Sequence, residues 1–115
     1  MHDISGKWIF SEEFECGTDK GFAIIEQDGK NINGYIEYEE RIEDEETIWV
    51  RQRIKGEIEG NSVNMQGIGV ESLNGEPMSG YNLDTLEGTY THENKIVGHS
   101  YDPEDICGVF VMSRE

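Results

Sequence analysis

A two-residue alternation of apolar and polar side chains, broken at short intervals by turn residues, constrains this chain more than any other feature. It is clearest in Ile48–Ile58, where the even-numbered positions are mostly apolar and the odd-numbered positions are mostly charged. No helical period fits for long, and Asp28-Gly29 is a typical hairpin turn. The pattern predicts an all-β chain of antiparallel strands with little or no helix.

Eight strands are predicted from this alternation, and with 115 residues we expect residues 1–115 to form a single domain. A Gly-rich loop is expected over Cys16–Gly21, and an irregular stretch over Glu71–Leu83. In the fifth strand the alternation changes phase at Gly67, which predicts a β-bulge. The predicted strands are Ile4–Phe14, Phe22–Gln27, Asn31–Glu40, Ile48–Ile58, Ser62–Val70, a segment from Leu86 to Tyr90, a segment around Ile96 and Gly98, and Ile106–Arg114.

The charge of the chain restricts its partners. There are 25 acidic and 9 basic residues, for a formal net charge of -16. Such a chain repels phosphate backbones and anionic membrane surfaces, so neither nucleic acid nor membrane is expected as a partner. No segment is apolar enough to cross a bilayer and no signal peptide opens the sequence, which favours a cytoplasmic location. An exported protein whose leader has been removed is the alternative.

Short hairpins joining eight strands predict an up-and-down meander, whose two edges disappear only if the first and last strands pair. Gly6-Lys7-Trp8 in the first strand and Arg114 in the last resemble the signature of the calycins, the lipocalins and their relatives. Chain length makes the small bacterial lipocalin-like and avidin-like barrels the nearer comparison. The resemblance implies that Arg114 packs across the Trp8 ring at a closed end, a contact worth about 1–2 kcal/mol.

Pairing Trp8 with Arg114 in an antiparallel ladder brings two cysteines close together. Residue numbers across the pair then add up to about 122, so Cys107 falls beside Glu15 or Cys16. A disulfide there would connect the terminal strands. Two free thiols are the favoured alternative, because no export signal is present.

If the tryptophan end is closed, a ligand pocket is expected at the other end, lined by inward residues that are mostly apolar with a few polar groups. The alternative is an interior filled by its own bulky side chains. The predicted ligand-binding residues are Phe10, Glu12, Ile36, Tyr38, Val50, Gln52, Ile68, Leu86, Ser100 and Phe110.

Several polar features have two interpretations each. An inward Glu12 either acts as an acid, a base or a ligand contact, or only reaches water at the rim. Gln52 is either a ligand contact or a hydrogen-bonded core amide. The loop Glu71–Leu83 either covers the mouth or is a plain crossover. The acidic run from Glu39 to Glu46 lacks the spacing of a calcium loop, and no cofactor or metal motif is recognised.

Three functions are compatible with these patterns. The first is a small-molecule binding protein whose ligand is apolar or aromatic. The second is a solid-core interaction module that acts through its acidic surface. The third is a small-barrel enzyme, an isomerase or a lyase, that uses Glu12. Trp49, Tyr35 and Val109–Val111 are expected to form an exposed apolar stripe on the outer face, which could serve as a dimer contact. We therefore expect either a monomer or a homodimer.

Overall fold

A computed structural model describes residues 3–75, 78 and 80–115, and these contain eight β-strands and no helix. The strand-and-turn pattern is confirmed, because alternating faces and short turns leave each strand one side to bury. The strands are β1 Gly6–Phe14, β2 Gly17–Asp28, β3 Asn31–Ile42, β4 Ile48–Glu59, β5 Ser62–Ser72, β6 Thr85–Thr91, β7 Lys95–Tyr101 and β8 Cys107–Arg114.

The eight strands pair in chain order and β8 returns to β1, so the sheet is a closed antiparallel barrel. The predicted ladder between the terminal strands is confirmed: Trp8 lies opposite Arg114, and Glu12 lies opposite Phe110. Closure removes both sheet edges, which would otherwise expose unpaired backbone groups.

Trp8 closes one end of the barrel. Its side chain is 0% exposed, and its indole N–H donates to Ile4 O at 2.9 Å. The Arg114 guanidinium lies 4.3 Å from the ring centroid and donates to Ser5 O and Asp3 O, at 2.6 and 2.9 Å. The contact expected from the calycin resemblance is therefore present, and it ties the chain before β1 to the end of β8.

Above Trp8 the inward side chains fill the barrel. The rings of Phe10 and Phe110 are stacked with their centroids 6.3 Å apart, and the Tyr38 ring lies 6.2 Å from Phe10. Isoleucines from β2, β3 and β4 pack around them in one cluster. Aromatic rings at these separations attract each other in addition to the area that they bury.

The second strand begins earlier than the sequence indicates. Gly17 through Gly21, expected as a loop, are strand residues paired with both β1 and β3. A Cβ atom at Gly21 would collide with the Glu37 carbonyl oxygen, so this glycine permits a close approach of strands and does not mark a turn. Asp19 is consequently an inward strand residue.

The bulge in β5 is present, but the expectation that Ile68 faces the interior is wrong. Arg53 pairs with Gly69 while Ile54 pairs with Gly67, so Ile68 is the extra residue between them. Its side chain is 44% exposed. Val70 then resumes the inward face and packs against the core.

The two cysteines are free and exposed, so the disulfide alternative does not hold in this structure. The β1–β8 ladder ends at the pair Phe14 and Gly108. Cys16 lies past the end of β1, and Cys107 precedes Gly108. Neither cysteine is therefore part of the β1–β8 ladder.

Trp8→Ala is expected to lower the free energy of unfolding by about 3–5 kcal/mol, because a large buried ring is removed from the closed end. Trp49→Ala is the matched control, since that ring is 45% exposed, and it should change stability by less than about 1 kcal/mol. Denaturant unfolding of the two variants measures this, and a loss below 1 kcal/mol for Trp8→Ala would contradict the structural role given to Trp8.

Candidate functional site

The end of the barrel opposite Trp8 holds a cavity of about 530 Å³. The turns of this open end connect β1 with β2, β3 with β4, β5 with β6, and β7 with β8. Its described lining combines apolar side chains with many acidic ones. The lining residues are Glu12, Phe14, Cys16, Asp19, Glu40, Ile42, Glu45, Glu46, Ile48, Gly80, Tyr81, Asn82, Asp84, Asp102, Ile106 and Gly108.

Three carboxyl groups meet at one level of the barrel wall because of strand register. Glu12 on β1 is opposite Asp19 on β2, and Asp19 is opposite Glu40 on β3. Directly opposed residues of an antiparallel sheet have Cβ atoms about 4.5–5.5 Å apart and point to the same face. All three side chains are buried and line the cavity, so we call Glu12, Asp19 and Glu40 the carboxyl row.

Glu12 is fixed by a residue from a strand that is not its neighbour. The Ser100 hydroxyl on β7 donates to Glu12 Oε2 across β8. On β8, Gly108 is opposite Ser100 and Phe110 is opposite Glu12, and a Cβ atom at Gly108 would lie 3.1 Å from Ser100 Oγ. A side chain at Gly108 would therefore crowd the Ser100 hydroxyl that makes this hydrogen bond.

Asp19 is the most unusual member of the row. It is 2% exposed, and Oδ1 has no hydrogen-bond partner among the described residues. Burial raises the pKa of Asp19 to about 12, helped by its hydrogen bond to Glu12 and by the nearby charge of Glu40. A buried acceptor without a donor is unfavourable by about 1–3 kcal/mol, which is the kind of cost found at functional sites.

A chain of hydrogen bonds connects the core to Glu40. Gln52 Nε2 donates to the Tyr38 hydroxyl at 2.9 Å, and the Tyr38 and Tyr81 hydroxyls are 2.6 Å apart. The Tyr81 hydroxyl donates to Glu40 Oε1 at 3.0 Å. Burial is the main cause that raises the pKa of both tyrosines, so they remain proton donors.

Gln52 also fixes the segment that precedes β6. The Asp84 backbone N–H donates to Gln52 Oε1 at 2.9 Å, and Gln52 Nε2 lies 3.2 Å from Asp84 Oδ2. The Gly67 N–H donates to Asp84 O at 2.8 Å, and a Cβ atom at Gly67 would collide with the Gln52 amide oxygen. Of its two interpretations, Gln52 is the hydrogen-bonded core amide.

Two more carboxyl groups of the site have raised pKa values. Burial and the charge of Glu12 raise the pKa of Asp84 to about 7, against a hydrogen bond from Gln52 that lowers it. Burial raises the pKa of Glu40, although hydrogen bonds from Asp19 and Tyr81 oppose the shift. Titratable groups shifted in this way cluster at functional sites more often than elsewhere.

Of the ten predicted ligand-binding residues, Glu12 is the one that lines this cavity. Ile68 lies on the outer face. The other eight are buried in the interior. Phe10 packs against both Tyr38 and Phe110 there, so side chains fill the level at which the pocket was expected. The eight interior residues are Phe10, Ile36, Tyr38, Val50, Gln52, Leu86, Ser100 and Phe110.

The sequence pattern did not reveal four polar residues of the site. Glu40 continues the inward series of Ile36 and Tyr38, so alternation alone could have found it. Asp19 was hidden in a stretch that two glycines made look like a loop. Tyr81 and Asp84 lie in the irregular segment before β6, where no periodicity shows direction; Glu76, Pro77 and Ser79 of that segment lie outside the described residues.

The part of the chain that the structure describes has no group of three or more His, Cys, Asp or Glu side chains placed to hold a metal ion. No helix in that part has the length and apolar character to span a bilayer.

Comparison with known proteins supports the fold. No protein-family model and no curated protein matches the sequence. Two solved structures of redesigned β-barrels, both bound to DFHBI, are similar to it. The barrel mFAP1 gives a TM-score of 0.69 at 14% identity, over 96% of this chain and 94% of that one. The barrel mFAP0 gives a TM-score of 0.67 at 13% identity, over 96% of this chain and 98% of that one.

The buried carboxyl groups predict that stability falls as pH rises. The pKa of Asp84 is about 7 in the folded protein, above its ordinary 3.8. Folding therefore favours the protonated form of Asp84. The contribution of this form to the free energy of unfolding is full below about pH 4 and is lost as the pH rises through about 7. Asp84→Asn should remove about 2–4 kcal/mol of this decline, allowing for partial exposure.

Denaturant unfolding between pH 4 and 8 measures the effect. The control is Glu59→Gln, which removes one exposed charge at the far end of β4 and should keep the wild-type decline. Equal declines in wild type and Asp84→Asn would show that Asp84 does not titrate as described.

Proposed function

We propose that this protein binds a small organic molecule with an apolar or aromatic body in the cavity at the open end of the barrel. The observation that carries the proposal is the cavity itself: its volume of about 530 Å³ falls within the range of small-molecule sites. Phe10, Tyr38 and Phe110 fill the barrel below it, so a ligand would rest on a packed interior.

The lining supports this class of ligand. Phe14, Ile42, Ile48 and Ile106 supply apolar surface, and the carboxyl row and Tyr81 supply polar groups. Apolar walls with a few convergent polar groups are typical of sites that orient small molecules. The similar barrels mFAP0 and mFAP1 have DFHBI bound, and this agrees with the proposal at the level of the fold.

The cavity also bears on the two other functions. An interaction module with a solid core would have no need for a void of this size with an unpartnered carboxyl oxygen in its wall. An enzyme that uses Glu12 would place its substrate in the same cavity, because Glu12 lines it. Ligand binding there is thus the step that both a carrier and an enzyme require, and it is the activity that we propose.

The relationship of this barrel to the calycins is likewise a proposal, supported by the contact between Trp8 and Arg114. We also propose that residues 1–115 act as one domain, since all eight strands surround one core. The cytoplasmic location, the absence of nucleic acid and membrane partners, and the choice between monomer and homodimer stay predictions from the sequence.

A library of small aromatic and apolar compounds should contain members that raise the melting temperature in a concentration-dependent way. A ligand at 100 times its Kd stabilises the folded state by about 2.7 kcal/mol. Differential scanning fluorimetry measures the shift. If no compound in a chemically broad library raises the melting temperature, the proposed function is wrong.

Phe14→Ala should weaken each ligand found in this way about tenfold or more, because it removes an aromatic wall of the cavity. The matched control is Ile9→Ala on the outer face of the same strand, where the side chain is exposed. Titration calorimetry compares the Kd values. If Ile9→Ala weakens binding and Phe14→Ala does not, the ligand binds outside the cavity.

A further inference from the structure

We infer that the ligand carries a positively charged amine, and that this ammonium group binds against Glu12, Asp19 and Glu40 of the carboxyl row. The inference rests on the proposed function and specifies its ligand class. It follows from three independent features of the cavity: the sign of its charges, an unsatisfied buried oxygen, and the way in which the carboxyl groups are held.

The first feature is the sign of the charges. No Lys, Arg or His is present among the described residues of the lining, whereas seven carboxyl side chains are. A cleft lined by one sign of charge concentrates ligands of the opposite sign and excludes those of the same sign. The seven are Glu12, Asp19, Glu40, Glu45, Glu46, Asp84 and Asp102.

The second feature is Asp19 Oδ1, which has no donor in the described structure although Asp19 is 98% buried and lines the cavity. Buried oxygens of carboxyl groups nearly always take part in hydrogen bonds. Because Asp19 stands between Glu12 and Glu40 in the register, a donor that reaches it from the cavity would also approach its two neighbours. The missing donor is therefore expected to come from a ligand.

The third feature is that the flanking carboxyl groups are already oriented. Ser100 donates to Oε2 of Glu12, and Tyr81 donates to Oε1 of Glu40 at 3.0 Å. Asp19 also hydrogen-bonds both neighbours, so a ligand ammonium would take the place of the proton that the three carboxyl groups share. An ammonium group has three N–H donors and no acceptor, so it suits three carboxyl groups on adjacent strands. Charge-assisted hydrogen bonds of this kind are about twice as strong as neutral ones.

Binding of a cation should also release protons. Burial and mutual repulsion favour the protonated carboxyl groups: the pKa of Asp19 is raised to about 12, that of Asp84 to about 7, and that of Glu40 is raised as well. A bound ammonium favours the ionised carboxylates and so displaces protons. The titratable groups facing this site from all sides are Glu12, Cys16, Asp19, Tyr38, Glu40, Glu45, Glu46, Tyr81, Asp84 and Asp102.

The test uses three probes that share an indole ring and differ in charge: tryptamine, tryptophol and indole-3-acetate. At pH 7.5 they are a cation, a neutral alcohol and an anion. We expect titration calorimetry to give a Kd for tryptamine at least tenfold below that of tryptophol, with indole-3-acetate weakest. In unbuffered salt solution, a pH electrode should record proton release on addition of tryptamine, and none on addition of tryptophol.

Asp19→Asn removes the central carboxyl group while it keeps the size of the side chain. It should weaken tryptamine at least tenfold and change tryptophol less than twofold. Glu59→Gln is the control, because it removes one carboxylate remote from the cavity, and it should change neither Kd by more than twofold. If Asp19→Asn does not fold, proton release and the order of the three probes in the wild-type protein still decide the question.

The outcomes separate this inference from the proposed function. Tryptophol bound as tightly as tryptamine, or tryptamine bound without proton release, would overturn the ammonium site and leave a neutral-ligand cavity. Tight Ca²⁺ binding that displaces tryptamine would also overturn it. If no indole binds, each library hit is compared with its amine analogue, and hits without a preference for the amine would overturn it. A library without any hit would instead contradict the proposed function.

Discussion

The ladder between β1 and β8 is the constraint on which the rest of the structure depends. It joins residues about a hundred positions apart and leaves the barrel without a sheet edge. Trp8 and Arg114 secure it at the closed end, where an indole, a guanidinium and two backbone carbonyls form one contact region. Because that end is filled, the opposite end is the one that holds a cavity.

The same closure creates the site. Glu12 becomes a neighbour of Asp19 on one side, and the return of β8 brings Ser100 of β7 close enough to bond it on the other. Glycines make these approaches possible: Gly21 allows β2 to approach β3, and Gly108 allows β8 to approach the β1 backbone at Glu13. Acidic side chains that would repel one another in an open sheet are thereby held together, and shared protons lower the repulsion.

Burial of several carboxyl groups in a small barrel opposes its stability. The core compensates with aromatic packing and with a fully bonded amide at Gln52, so the unfavourable interactions are confined to the open end. Sites that bind ligands commonly retain such locally unfavourable groups, because the ligand supplies the missing partner. The unpartnered oxygen of Asp19 is the clearest instance in this protein.

The two-residue period and the short turns determined the strands and their order, apart from the start of β2. The resemblance of Gly6-Lys7-Trp8 and Arg114 to the calycin signature implied the β1–β8 register and the packing of Arg114 on Trp8. The sequence also indicated Glu12 and Gln52 as inward polar residues. Only the tertiary structure decided that Asp19 lies in a strand, that Ile68 is the bulged residue, and that Tyr81 and Asp84 join the site. Each of these depends on backbone contact between strands or on an aperiodic segment, and neither leaves a periodic signal along the chain.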